Sequence, residues 1–214
     1  MINDERITTF IDSFDTGLTP ELTELAEYAI ETNVPIIRPQ MQSFMKMLLA
    51  LKKPMKILEV GTAIGFSALL MAEYTSSETK ITTIEKYEKR IPIARDNFKK
   101  FGQEDRITLL EGDAMEILSK LDEKYDFIFM DAAKGQYINF LPDIKRLLAK
   151  DGVLLSDNVL QDGNVMESRF AVVRRDRTIH SRMRDYLYTL KNDSDLVTDI
   201  LPVGDGITIS VKIK

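Results

Sequence analysis

Two short segments of the chain place polar side chains directly after an apolar run. In "YDFIFMDAAKGQY" the run stops at Asp131, and Lys134 follows three residues later. In "GVLLSDN" a second run is followed by Asp157 and Asn158. If the runs are neighbouring parallel strands, the two carboxylates lie close together and repel each other unless a positive charge separates them. A hard divalent cation, completed by water, suits this set of oxygen ligands; independent helix caps are the alternative interpretation.

The composition narrows the chemistry further. The chain has no cysteine and a single histidine, His180, which excludes a thiolate zinc site, a disulfide framework, a cysteine nucleophile and a multi-histidine metal site. A metal would therefore bind oxygen ligands, which favours Mg²⁺, Ca²⁺ or Mn²⁺. The net charge of -5 argues against indiscriminate nucleic-acid binding but leaves room for a local basic patch.

The start of the chain and its hydropathy predict a cytoplasmic protein with no membrane association. The opening "MINDERITTF" carries acids where a signal peptide has a basic segment. No uninterrupted apolar stretch approaches the ~20 residues that a membrane helix needs. At 214 residues the chain is long enough for one sizeable core, so we expect a single domain over residues 1–214.

The elements that must position the polar side chains follow an alternating pattern. Short apolar runs alternate with longer segments of helical period, which predicts parallel strands joined by crossover helices. The predicted strands are "KILEVG" (56–61), "KITTIE" (80–85), "RITLLEG" (106–112), "YDFIFMD" (125–131) and "GVLLSD" (152–157). The predicted helices between them span residues 66–74, 90–102, 114–121 and 137–150.

Further elements flank this core. Helices precede the first strand, one of them opened by Thr19 and Pro20, and a hairpin joined at residues 204–206 ends the chain. We therefore expect an α/β fold with a doubly wound, Rossmann-like sheet of seven strands, mostly parallel with a C-terminal antiparallel hairpin. The N-terminal helices form a cap over residues 1–52, and the core covers 53–214.

In a doubly wound sheet, ligands bind beyond the carboxyl ends of the strands. After the first strand, "EVGTAIGFS" places Gly61 and Gly65 where the backbone can approach a ligand closely, unless they only form a tight connection. Glu85 ends the second strand, roughly 20 residues beyond the glycines, where nucleoside-binding folds hold ribose hydroxyls; a solvated loop acid is the alternative. Asp113 and Ala114 follow the third strand and suit an adenine edge, although a helix N-cap explains Asp113 equally well.

Taken together, these residues resemble the cation-dependent O-methyltransferases that use S-adenosylmethionine, the group of the catechol and caffeoyl-CoA O-methyltransferases. The resemblance runs from the N-terminal helices through "LEVGTAIGFSALLMA", "TTIEK", "EGDA", "FIFMDAAKGQY" and "LLSDNVL" to "GDGITISVKI". The combination of D-A-x-K with D-N is its specific part. It implies S-adenosylmethionine as the cofactor, a divalent cation, expected to be Mg²⁺, and a homodimer.

The resemblance also implies roles for individual residues. Ile37 falls where the family's pre-strand loop touches the cofactor, although "IIRPQMQSF" departs from the usual glycine-glutamine version of that loop. Lys134 matches the proposed general base, and its alternative is a surface lysine that starts a helix. The implied cofactor contacts are Glu59, Gly61, Thr62 and Ser67 for the methionine part, Glu85 for the ribose, and Asp113 and Ala114 for the adenine. Asp131 is implied as a further cofactor contact. The implied metal ligands are Asp131, Asp157 and Asn158.

An arginine-rich segment, "ESRFAVVRRDRTIHSRMRDYLYTL", follows the second carboxylate turn. One interpretation of this segment is a solvated helix face, in which some of the arginines pair with Asp176 and Asp185. Because the segment leads directly from the proposed metal site and arginine suits phosphates, a bound polyanion is the other. Its arginines are Arg169, Arg174, Arg175, Arg177, Arg182 and Arg184, of which the last five are the predicted RNA contacts.

Within the family, this feature resembles the bacterial tRNA 5-hydroxyuridine methyltransferases. The favoured expectation is methylation of 5-hydroxyuridine at the wobble position of a tRNA anticodon loop, giving 5-methoxyuridine. A small catechol or hydroxycinnamoyl-CoA acceptor is the alternative. A nicotinamide-dependent oxidoreductase would use the same fold and Glu85 but has no need of the carboxylate pair, and the glycine spacing is wrong for it. A non-catalytic RNA-binding module would keep the arginines but has no use for Lys134.

Overall fold

The computed structural model describes residues 5–214, so the first four residues of the predicted cap lie outside the described residues. The α-helices are α1 (Glu5–Asp12), α2 (Pro20–Glu31), α3 (Pro39–Lys52), α4 (Phe66–Glu73), α5 (Ile91–Lys100), α6 (Ala114–Lys120), α7 (Tyr137–Leu147) and α8 (Arg177–Asn192). The strands are β1 (Lys56–Val60), β2 (Lys80–Glu85), β3 (Ile107–Glu111), β4 (Tyr125–Met130), β5 (Leu148–Ser156), β6 (Leu196–Leu201) and β7 (Ile207–Lys212). Short 3-10 turns at Lys134–Gln136, Asn164–Met166 and Arg174–Asp176 complete the chain.

The strands form one sheet in the order β3-β2-β1-β4-β5-β7-β6. Strands β1 to β5 pair in parallel, and β7 pairs antiparallel with both β5 and β6. The predicted doubly wound sheet with a C-terminal hairpin is therefore confirmed. The strand order reverses between β1 and β4, so their carboxyl ends flank the crevice in which such sheets bind ligands.

Helices cover both faces of the central strands, which divides the core in two. In β4, Phe127 and Phe129 pack with α2 to α5, whereas Ile128 and Met130 pack with α6 to α8. Successive side chains of a strand point to opposite faces, so a strand covered on both sides must be apolar throughout. This is why "YDFIFM" is an uninterrupted apolar run and why its first polar residue comes where the strand leaves the core.

One predicted boundary is wrong. The helix predicted over 137–150 ends at Leu147, and β5 begins at Leu148, earlier than expected. Leu148 pairs with Tyr125 of β4, and its carbonyl accepts a hydrogen bond from Lys212 Nζ at 3.0 Å. These partners are distant in the sequence, so the helical period of "LLAK" could not reveal them.

The N-terminal helices pack against the sheet as predicted. Helix α2 begins at Pro20 with Thr19 as its N-cap residue, although the Thr19 side chain makes no capping hydrogen bond. Leu22 of α2 and Met41 and Met45 of α3 are buried in the same core as α4. Among the described helices, none combines the length and apolar character that crossing a membrane requires.

Candidate active site

A cleft of about 590 Å³ lies beyond the carboxyl ends of β1 to β5. The turns that follow all five strands contribute to its wall, as expected for a doubly wound sheet. Glu59 is fully buried behind the cleft surface. The other predicted cofactor, metal and base residues line it: Ile37, Gly61, Thr62, Ser67, Glu85, Asp113, Ala114, Asp131, Lys134, Asp157 and Asn158.

The turn after β1 requires glycine because of its protein neighbours. Gly61 has a φ of +105°, and a Cβ there would stand 2.0 Å from the carbonyl oxygen of Asp131. Gly65 has a φ of +88°, and a Cβ there would stand 2.6 Å from the ring of Phe98. The tight-connection interpretation therefore holds for both glycines, although Gly61 also lines the cleft. As a result, the β1 turn and the Asp131 turn pack as one unit.

A buried carboxylate supports the β1 turn from below. Glu59 accepts hydrogen bonds from Ser67 Oγ and Thr83 Oγ1, both at 2.5 Å. Because Thr83 uses its only hydroxyl proton on Glu59, Thr62 Oγ1 at 2.5 Å donates to Thr83. Burial raises the pKa of Glu59 to about 7, against the opposing effect of the hydroxyl donors. Glu59 thus orients Ser67, which lines the cleft, instead of reaching the cleft itself.

At the other end of the cleft, Glu85 and Asp113 already hold main-chain N–H groups. Glu85 Oε2 accepts from the N–H of Ala63 at 2.7 Å, and its Oε1 accepts from two N–H groups just after β2. Asp113 is the N-cap residue of α6 and accepts from the N–H of Met115 at 2.9 Å. The helix-cap interpretation of Asp113 is confirmed. A carboxylate has about four lone-pair sites, so both groups can still accept from a ligand.

The loop before α3 borders the cleft even though its sequence departs from the family pattern. Ile37 is buried, and its carbonyl accepts from Gln42 Nε2 at 2.8 Å. Ile37 and the next residue, Arg38, both line the cleft. The position of Ile37 is therefore compatible with the predicted cofactor contact.

The turns after β4 and β5 bring Asp131, Asp157 and Asn158 together. Asn158 Nδ2 donates to Asp131 Oδ1 at 3.1 Å, and the Asn158 N–H donates to Asp157 Oδ1 at 2.7 Å. Burial, reinforced by repulsion from Asp131, raises the pKa of Asp157 to about 7. Burial also raises the pKa of Asp131. Asp131 thus disfavours charge on the buried Asp157, and a bound cation would relieve this repulsion.

These three residues fit a hard divalent cation by their donor chemistry. Two carboxylates and an amide supply oxygen ligands, and bound water commonly completes such a shell. Within residues 5–214, no group of three or more His, Cys, Asp or Glu side chains is arranged to hold a metal ion. The third protein ligand of a cation here would therefore be the Asn158 amide. In the present arrangement its amide N–H supplies partial positive charge beside Asp131.

Lys134 has a partner that the sequence reasoning missed. Its Nζ lies 3.4 Å from Asp205 Oδ2, and the Asp205 side chain is only 4% exposed. The other Asp205 oxygen accepts from the N–H of Asp162 at 2.5 Å, and the Asp162 carboxylate pairs with Arg38 at 3.0 Å. Asp205 therefore links the candidate base to the loop after β5. The sequence signal was a carboxylate between the two hairpin glycines, which we interpreted only as a turn.

Tyr137 is a second residue that sequence reasoning missed. It is fully buried, and its hydroxyl lies 3.1 Å from the carbonyl oxygens of both Met130 and Asp157. The same hydroxyl accepts from the N–H of Ala132 at 3.3 Å. The Tyr137 hydroxyl thereby joins the end of β4, which precedes Asp131, to the turn after β5 that carries Asp157. The sequence predicted Tyr137 only as the first residue of a helix.

The six arginines of the basic segment divide into two groups. The first group donates to main-chain carbonyls of neighbouring loops. Arg177 donates to the carbonyls of Phe170 and Val172. Arg182 donates to the carbonyl of Gly135, and Arg184 donates to that of Val165. Arg175 is exposed and lies 3.6 Å from Asp176. In the described part of the chain, the exposed side chains of Arg169 and Arg174 have no hydrogen-bond or ion-pair partner.

The doubly wound sheet, with an antiparallel β7 between β5 and β6, matches the Rossmann-like methyltransferase fold of similar solved structures. A family profile described as O-methyltransferase matches residues 13–213, so the chain belongs to the O-methyltransferase family. The caffeoyl-CoA O-methyltransferase of Medicago sativa is 34% identical over 185 residues, which cover 80% of this chain and 72% of that protein.

Solved structures agree with the family assignment. A proposed caffeoyl-CoA O-methyltransferase of Staphylococcus aureus has a TM-score of 0.89 and 32% identity, covering 98% of this chain and 100% of that one. An SAH-bound methyltransferase of Podospora anserina has a TM-score of 0.86 and 29% identity, covering 98% of this chain and 94% of that one.

Proposed function

We propose that this protein transfers a methyl group from S-adenosylmethionine to a hydroxyl of an acceptor that also binds a divalent cation. The observation that carries the proposal is the pair of the half-buried Asp131 and the buried Asp157, joined by Asn158. This pair lies at one end of a cleft whose other end carries Glu85 and Asp113. The SAH-bound Podospora structure supports the same choice of cofactor.

Cofactor placement follows the cleft from the β1 turn to the β3 turn. Ser67, held by Glu59, and the Gly61 and Thr62 turn would contact the methionine part. Glu85 would accept from the ribose hydroxyls, and the start of α6 would face the adenine. Ile37 and Asp131 would close the cleft on the side of the acceptor.

Asp131, Asp157 and Asn158 would hold the cation, for which we propose Mg²⁺. When bound, the cation would act as a Lewis acid and as a template for two neighbouring acceptor oxygens. Lys134, in its neutral amine form, would accept the acceptor's hydroxyl proton at Nζ and become an ammonium. Asp205, whose side chain is only 4% exposed, would hold that nitrogen at the mouth of the cleft by accepting its N–H before the transfer and by pairing with the ammonium after it.

For the acceptor, we propose 5-hydroxyuridine at the wobble position of tRNA. Its 5-hydroxyl lies beside the O4 carbonyl and so offers the catechol-like oxygen pair that a cation site needs. The exposed Arg169, Arg174 and Arg175 favour a polyanionic acceptor, because guanidinium groups suit phosphates. The Medicago relative favours the second candidate, a hydroxycinnamoyl-CoA or small catechol acceptor.

We also propose that the protein is a homodimer. Helix α1 and the residues just after it expose apolar side chains that a partner copy could cover: Ile7 (47%), Phe10 (65%), Ile11 (60%) and Phe14 (70%). Sedimentation equilibrium of the purified chain tests this proposal, and a monomer at micromolar concentration would contradict it.

The acceptor is tested by offering the purified protein S-adenosylmethionine and Mg²⁺ with three substrates in parallel. These are tRNA that carries 5-hydroxyuridine, caffeoyl-CoA and catechol. We expect 5-methoxyuridine by mass spectrometry of digested tRNA, and a deletion strain should lose 5-methoxyuridine and accumulate 5-hydroxyuridine. Turnover of caffeoyl-CoA without tRNA methylation would select the alternative acceptor. RNA binding without cofactor binding would identify a non-catalytic module.

A pair of double variants tests the role of the exposed arginines. Arg174→Ala with Arg175→Ala should weaken tRNA binding and lower its salt dependence, because fewer phosphate contacts release fewer counterions. The control, Lys99→Ala with Lys120→Ala, removes the same charge near the C-terminal ends of α5 and α6, away from the cleft. Equal effects of the two pairs on tRNA binding would contradict a local role for the arginines.

A further inference from the structure

The loop over residues 164–173, here called the Phe170 loop, exposes three apolar side chains. Phe170 is 86% exposed, Met166 69% and Val173 63%. Single exposed apolar residues are ordinary on a protein surface. Here, however, three of them share one short loop with free cations, so the loop as a unit needs an explanation.

The main chain of this loop is fastened by side chains of α8. Arg177 donates to the carbonyls of Phe170 and Val172 at 3.3 and 3.1 Å. The Nε2 atom of the buried His180 lies 3.0 Å from the carbonyl oxygen of Glu167, and Arg184 donates to the carbonyl of Val165, near the start of the loop, at 3.0 Å. The exposed ring therefore stands on an anchored backbone, and less conformational entropy is lost when such a surface binds a partner.

The charges around the ring favour a polyanion. Arg169, next to Phe170 in the chain, and Arg174, directly after the loop, have exposed side chains without partners within the described residues. The nearby acids are the exposed Glu167 and the half-buried Asp176, which faces Arg175. A ring flanked by free guanidinium groups suits single-stranded nucleic acid, in which a base stacks while the phosphates meet cations.

No residue of the Phe170 loop lines the cleft, but α8 packs against both the 3-10 turn at Asn164–Met166 and the 3-10 turn at Lys134–Gln136, which borders the acceptor side of the cleft. The chain reaches the loop directly from Asn158, and α8 connects it to the turn that carries the candidate base. In that connection, Arg182 donates to the carbonyl of Gly135 at 3.1 Å, one residue beyond Lys134. A nucleotide next to the one in the cleft would therefore lie within reach of the loop.

We infer that Phe170 is a stacking platform for an unpaired anticodon-loop base adjacent to the methylated one, with Arg169 and Arg174 on the flanking phosphates. This inference rests on the proposed tRNA function and adds a specificity-determining surface outside the cleft. Free 5-hydroxyuridine, which lacks neighbouring nucleotides, would not contact the loop.

The test compares KM and kcat of Phe170→Ala, Phe170→Leu and Phe170→Trp on tRNA that carries 5-hydroxyuridine and on free 5-hydroxyuridine. Phe170→Ala should raise the KM for tRNA about tenfold, the order that base stacking contributes. Phe170→Leu should behave like the alanine variant, and Phe170→Trp should retain the wild-type KM. None should change the KM for the free nucleoside. Tyr188→Ala is the matched control, since Tyr188 is 71% exposed and lies about three turns beyond Arg177 on α8.

Three outcomes would overturn the inference while leaving the proposed function standing. One is an unchanged KM for tRNA in Phe170→Ala, which is also the result if the loop binds a protein partner. Another is an equal rise for tRNA and free nucleoside, which would assign Phe170 to the acceptor pocket. The third is a leucine variant as good as the tryptophan variant, which would exclude stacking. Failure of the wild-type protein to methylate tRNA would instead overturn the proposed function.

Discussion

Replacement of Glu59 by glutamine should remove a pH-dependent loss of stability. Glu59 is fully buried, and its pKa rises from 4.5 to about 7 in the folded protein. Between these values the folded state keeps a proton that the unfolded state has released, so the free energy of unfolding falls as pH rises. At ~1.4 kcal/mol for each pKa unit, the loss reaches about 3 kcal/mol above pH 7.

Glu59→Gln has a similar shape and stays neutral at every pH. Its amide oxygen can accept from one hydroxyl of the Ser67 and Thr83 pair while its nitrogen donates to the other, so the network can persist. The stability difference between variant and wild type should therefore be small near pH 4.5. It should grow in favour of the variant by about 3 kcal/mol up to pH 8.

Urea unfolding at pH 5, 6, 7 and 8, in EDTA and without cofactor, measures this difference. Asp157, whose pKa is also raised to about 7, adds its own pH dependence. That contribution is common to both proteins and cancels in the difference. Glu116→Gln, at an exposed position of α6, controls for the loss of one carboxylate, and its stability difference should change much less with pH than that of Glu59→Gln. A pH-independent difference for Glu59→Gln would refute the reasoning about its buried charge.

Three further predictions concern the acceptor side of the cleft. Asp157→Ala, or EDTA with the wild-type protein, should abolish turnover while calorimetry still detects cofactor binding; full activity in EDTA would contradict the cation site. Asp205→Asn should lower kcat at an unchanged Kd for S-adenosylmethionine, because it weakens the ion pair that holds Lys134, and an unchanged kcat would show that this pair is dispensable. Tyr137→Phe should reduce the free energy of unfolding by about 1–3 kcal/mol, since it leaves the N–H of Ala132 without its acceptor. An unaltered urea midpoint would show that the hydroxyl contributes nothing.

Much of the site could be predicted because it depends on where strands end. Asp131 and Asp157 follow apolar runs that are buried on both faces, and neighbouring parallel strands deliver their carboxyl ends to one edge. Glu85 and Asp113 follow from the same rule. The residues that support these site residues could not be predicted in this way. Asp205, for example, lies 71 positions from its partner Lys134 and comes from an antiparallel hairpin. Tyr137 acts through a hydroxyl that no periodicity describes.

The arginine-rich segment also divides into what the sequence predicts and what only the folded structure shows. The sequence identifies it as a cluster of cations but does not separate the arginines that bond main-chain carbonyls from those that bond none. Arg177, Arg182 and Arg184 each reach a carbonyl on another segment, and only the folded chain brings these groups together. The exposed Arg169, Arg174 and Arg175 are the part of the cluster left for a partner.

The sequence by itself determined the doubly wound fold, the family and the order of candidate site residues along the strand ends. These depend on local patterns, namely burial period, turn residues and short motifs. Tertiary structure alone decided that Gly61 is needed against the Asp131 carbonyl, that Glu59 lies behind Ser67, and that Asp205 holds Lys134. Each of these depends on a distance of a few ångströms between residues on different elements, from 8 to 71 positions apart in the chain, and such distances are set only when the core packs.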